Sequence, residues 1–112
     1  MKQTHIRKTH IRKAYEERRE EILRYAIKIA VKLGFYKFEK VDVSTAMDVN
    51  PALINHYFKS FKLLKKEVMR HAIKDMIEPI LFEGIIEKDS MVVKLPAEIK
   101  KRILSRYIKQ YT

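Results

Sequence analysis

Cysteine is absent from this chain, which excludes disulfides, thiol catalysis and cysteine-ligated zinc. Glycine and proline are scarce, at two and three residues. No glycine-rich phosphate loop can be assembled, and the abundant Ile, Lys, Leu and Glu bias the chain toward helix. No apolar run approaches the roughly 20 residues that span a bilayer. The basic N-terminus lacks the apolar stretch of a secretion signal, so no membrane association and a cytoplasmic, nucleoid-associated location are expected. No nucleophile stands with a base, and the carboxylates are those of helix surfaces. The reading is therefore of a binding protein, not an enzyme, with no cofactor and no metal.

What is present is positive charge. The formal net charge is +11 over 112 residues, with 46% hydrophobic and 35% charged residues, a globular balance at single-domain length. Residues 1–13 hold five Lys or Arg and no acid, and residues 94–112 hold six against Glu98. A near-neutral body with basic ends suits a polyanion, because each neutralised phosphate releases condensed counterions. The competing reading is that charged ends only aid solubility.

Most of the N-terminal cations fall in a repeated pentapeptide, Thr4-His5-Ile6-Arg7-Lys8 and Thr9-His10-Ile11-Arg12-Lys13. Its five-residue period fits neither a helix face nor a strand. Residues 1–14 are expected as a flexible basic arm whose Arg7, Lys8, Arg12 and Lys13 settle on phosphates or in a minor groove. The alternatives are a disordered tail or an extension of the first helix on the side remote from DNA. His5 and His10 lack a companion carboxylate or thiol set and are not assigned a metal.

Helical periodicity covers residues 15–33, where Ile22, Ala26, Ile29, Ala30 and Leu33 form an inward stripe. Gly34 supplies the stop, and Phe35 is expected to tuck back into the core. A second helix is predicted over residues 40–47, with Val43 and Met47 inward. Asp48-Val49 forms a break, Asn50 an N-cap and Pro51 a first helical residue. The third helix then covers residues 51–57 and buries Ile54, Tyr57 and Phe58. A fourth starts near Ser60 and continues or kinks at Pro79. Asp89-Ser90 reads as a turn, residues 91–95 as short and β-prone, and a last helix opens at Pro96. The fold class is all-α, and two short helices across a tight break have the layout of a helix-turn-helix.

The residues Arg19-Glu20-Glu21-Ile22-Leu23, Ala26, Gly34-Phe35, Val49 and Ile54-Asn55-His56-Tyr57-Phe58 stand at ungapped intervals over residues 19–58. In these the chain resembles the DNA-binding domain of the tetracycline-repressor (TetR) family. The resemblance implies a three-helix DNA-binding head over residues 15–61, a connecting fourth helix and a homodimer, here through residues 63–112. Departures are Met47-Asp48-Val49-Asn50 for the family's Ala-Gly-Val-Ser turn, Val43-Ser44 for Ile-Ala and Asn55 for a tyrosine. Phe61 replaces a lysine, and Phe38 a threonine that contacts phosphate. The 54 residues after Phe58 suffice for a helical dimerisation or interaction region over 62–112. They do not suffice for an enclosing pocket of several hundred Å³, so no small-molecule effector is expected.

Within the head, Asn50 either caps the third helix or contacts a phosphate. Pro51, Ala52 and Leu53 are candidates for apolar base contacts, Leu53 equally for the core. Asn55 is the candidate for bidentate pairing with adenine. His56 and Tyr57 match the family's phosphate contacts, and Lys37, Lys40, Lys59 and Lys62 are candidate backbone contacts or solvated lysines. The functional expectation is a sequence-specific, dimeric regulator of double-stranded DNA, a repressor. The alternative is a DNA-binding adaptor of a replication, partition or packaging complex. Residues 91–99 also resemble, locally, the strand and helix start of a ribbon-helix-helix repressor.

Overall fold

The computed structural model describes the backbone of residues 2–111 and the side chains of residues 11–110. The order is α1 (Lys2–Leu33), α2 (Lys40–Met47), α3 (Pro51–Phe58), α4 (Phe61–Asp75), α5 (Glu78–Ile86) and α6 (Ala97–Tyr111). Among the described residues there is no strand, in keeping with the all-α expectation.

At 1.5 Å per residue, α1 is about 48 Å long. It begins at Lys2, so residues 2–14, expected as a flexible arm, continue the helix instead. Its core face is Ile22, Leu23, Ala26 and Ala30, whereas residues 11–17 are all exposed. Leu33, expected inward, is 43% exposed: the stripe outruns the helices that cover it, and Phe35 from the following corner fills the core. Gly34 turns that corner at φ 107°, a value other residues rarely adopt. Its carbonyl accepts from the N–H groups of Lys37 (3.2 Å) and Phe38 (3.0 Å), which aims Phe35 and Phe38 inward.

α2, α3 and α4 each have a sequence-encoded start. A reciprocal capping box opens α2: the Asp42 carboxylate accepts from the Glu39 N–H at 2.7 Å while the Glu39 side chain accepts from the third helical N–H. Asp48, left-handed at φ 57° and ψ 49°, ends it. The Asn50 side chain accepts from the Ala52 N–H at 2.9 Å, with Pro51 first in α3. The Ser60 hydroxyl accepts from the Leu63 N–H at 3.2 Å to open α4.

The fourth helix neither continues nor kinks at Pro79; it stops at Asp75. Met76 takes the left-handed conformation, the Ile77 N–H returns to the Ala72 carbonyl at 2.9 Å, and Pro79 falls in the first turn of α5. There its missing N–H costs no intrahelical bond. Residues 91–95 form turns, not a strand. Asp89 collects the chain locally, its carboxylate accepting from the Met91 N–H (2.9 Å) and its carbonyl from Val92 and Val93 (3.0 Å each). This turn drives Val92, fully buried, against Gly84 of α5.

The core joins Ile22, Ala26 and Ala30 of α1 with Val43, Ile54, Leu64, Val68 and Ala72, and extends through Ile80 and Leu81 to Ile103 of α6. The molecule measures 60 × 28 × 18 Å.

Candidate nucleic-acid interface

The third helix is divided by burial. Ile54 and Phe58 face the core, Pro51, Leu53 and Tyr57 are half-buried, and Ala52, Asn55 and His56 are exposed. An eight-residue helix cannot stand alone. It is held by its buried pair from below and by α1 at its C-terminal end.

That second support comes from two α1 residues whose part in holding α3 has no signal in the local sequence. The Tyr15 ring lies 4.7 Å from the Tyr57 ring, and its hydroxyl donates to the Tyr57 carbonyl at 3.5 Å. One turn on, the Arg19 guanidinium sits 4.2 Å over the Phe58 ring and 3.9 Å from Glu67 of α4. These contacts join residues about forty positions apart, so only tertiary structure exposes them. Tyr57 is expected from sequence both in the core and on a phosphate; half-burial beneath Tyr15 leaves part of its surface outward.

Asn50 is exposed, and its side-chain oxygen is engaged in capping, the first of its two expected roles. Asn55 stands free of the core on the outward face beside His56, whose ring is 5.0 Å from Tyr57. Lys59, which ends α3, adopts φ 63° and ψ −42°, outside the left-handed basin occupied by Asp48 and Met76. Such a conformation costs of order 1–3 kcal/mol in a non-glycine residue. Lys59 and Tyr57 line a cleft of about 380 Å³ with Arg19, Lys66, Glu67 and Arg70.

The remaining lysines are dispersed. Lys62 is exposed on the first turn of α4, and Lys40 is half-buried at the start of α2. Lys37 is exposed beside Gly34 at the corner after α1, and it does not line the cleft that holds Lys59. Arg12 and Lys13 are exposed on α1, and Arg7 and Lys8 lie outside the described side chains, as do His5 and His10. Among the described residues no group of three or more His, Asp or Glu side chains converges on a metal-sized site. No helix among them is long and apolar enough to cross a membrane.

No protein-family model matches the chain, and no curated protein or solved structure is found similar to it.

The two aromatic departures have structural places. Phe38 is buried to 2% exposure, and the Phe61 ring meets it edge-on at 5.3 Å. Between them and Phe35 and Tyr36 sits the Lys65 ammonium, 4.7 Å from the Phe35 ring and 6.0 Å or less from the other three. Burial lowers the Lys65 pKa, and Glu83 partly opposes the shift. Burial, followed by the nearby Asp89 carboxylate, raises the Tyr36 hydroxyl above its ordinary value. The Glu83 carboxylate also accepts from the Phe35 N–H at 2.5 Å. This aromatic cluster therefore fixes the corner between α1 and α2 to α4 and α5.

Proposed function

We propose that this protein is a sequence-specific double-stranded DNA-binding regulator, a repressor, that acts as a homodimer with α3 as its recognition helix. One observation carries the reading. α2 and α3 meet across the short break 48–50, and α3 buries Ile54 and Phe58 while turning Ala52, Asn55 and His56 outward. A helix-turn-helix presents base-reading side chains to a major groove from a helix held in this way, and this supports the reading. The resemblance of residues 19–58 to a TetR-like head supports it, as does the +11 charge.

In this reading Asn55 pairs with a base edge, while Lys59, Lys62, His56 and the outward part of Tyr57 meet phosphates. Lys37 and Lys40 stay as candidate backbone contacts at the entry to α2. Dimerisation uses the helices after the head. There α5 and α6 meet the end of α1 in a groove lined by Val31, Pro79, Phe82 and Tyr107, and Ile108 of α6 is 40% exposed. No small-molecule effector is part of the proposal.

Selection of duplexes from a random pool, together with sedimentation of the free protein, tests it. The expected result is a dimer and an enriched inverted repeat. A monomer that enriches no sequence overturns the proposal and favours the adaptor reading, in which the same apolar surfaces of α5 and α6 dock another protein.

A further inference from the structure

The solvent side of α4 carries Lys62, Lys66, Arg70 and Lys74, all exposed, one every four residues. Its opposite side buries Leu64, Val68, Met69 and Ala72. Four-residue spacing places the cations in one row, about 6 Å apart along the axis and about 18 Å from first to last. Two carboxylates adjoin the row. Glu67 bonds Arg70 at 2.8 Å, and Asp75 lies 4.0 Å from His71.

The row does not stand apart from the recognition helix. The cleft that holds Lys66 and Arg70 also holds Tyr57 and Lys59 from the end of α3, and Arg19 from α1. Arg19, Lys59, Lys66 and Arg70 outnumber Glu67 there by four to one. Lys59 is presented to this cleft from a backbone conformation that a glycine would hold at less cost. A lysine kept under such strain points to a use for its charge.

We propose that Lys62, Lys66, Arg70 and Lys74 form a phosphate-binding ridge, along which a nucleic-acid backbone continues past the recognition helix. The ligand is a run of phosphodiesters, because the cations are evenly spaced along one oblique row continuous with α3. That row winds about 40° around the helix at each step. The inference rests on the DNA-binding reading above and extends its contact surface to the length of α4. Ridge contacts carry no base information; they add affinity, salt dependence and a fixed path for the strand.

The test uses the full chain with K66Q/R70Q/K74Q. All three positions are exposed and glutamine favours helix, so circular dichroism should show the fold retained. Binding is measured by fluorescence anisotropy across a salt series, on a pool-selected duplex and on a random one. The ridge predicts a log–log salt slope flatter by roughly 2–3 on both duplexes, at about 0.9 for each phosphate no longer neutralised. Preference between the duplexes should persist, and K66R/R70K/K74R should keep the wild-type slope. An unchanged slope in the glutamine variant, with preference intact, overturns the ridge and leaves the recognition helix standing. A flattened slope without preference supports the ridge and removes the sequence-specific reading. Failure of the wild type to bind either duplex overturns both.

Discussion

At the scale of single residues, the outward face of α3 is chemically sparse. Ala52 offers a methyl group, His56 a ring, and Asn55 the one amide able to pair bidentately with a base. Asn50 exposes a similar amide, but its oxygen already accepts from the Ala52 N–H. Asn55→Ala should therefore relax preference at one base pair and cost roughly 1–3 kcal/mol there. Competition binding against a set of single-position operator variants reads this directly. Uniform weakening on every sequence would reassign Asn55 to a phosphate. The cap contributes differently: Asn50→Ala removes about 1 kcal/mol of helix support and affects all sequences alike.

At the scale of elements, the sequence is readable where local chemistry sets the boundary. Gly34, Asp48, Asn50-Pro51 and Ser60 each act within a few residues, and α2, α3 and α4 begin where these signals place them. Local chemistry misleads where a competing local signal or a distant neighbour decides. The β-branched pair Val92-Val93 suggests a strand, yet Asp89 gathers the segment into turns and Val92 packs on Gly84. Leu33 follows the helical period correctly but has nothing above it to bury against. Lys65 looks like an ordinary surface lysine until Phe35, Tyr36, Phe38 and Phe61 converge around it. Of the candidate site, the α3 residues are legible in the sequence, whereas the Tyr15 and Arg19 supports are not. The Val92 contact makes a prediction at this scale. A Cβ on Gly84 would stand 2.6 Å from Val92 Cγ2, so Gly84→Ala should destabilise by about 1–3 kcal/mol through overpacking. Adding Val92→Ala should relieve the clash but leave the stability loss of the smaller valine site. Thermal denaturation of both variants checks this, and an unchanged Tm for Gly84→Ala would show that α5 shifts to make room.

At the scale of the whole molecule, charge is distributed along a body 60 Å long. The basic N-terminal residues continue α1, and that same helix supports α3 through Tyr15 and Arg19. Removing residues 1–13 should flatten the salt dependence of DNA binding while largely preserving sequence preference, since the α3 supports remain. Anisotropy titrations over a salt series give the slope, and an unchanged slope would show that this segment does not touch DNA. The Glu83 carboxylate has a different consequence at this scale. It belongs to α5 yet holds the Phe35 N–H at the corner entering α2, and Lys65 reinforces the same corner from α4. No hinge therefore stands at that corner between α3 and the helices proposed to pair. In a dimer built this way the two recognition helices would keep one separation and one relative angle. Half-sites moved apart by a single base pair would be refused, because no joint at that corner could swing to meet them.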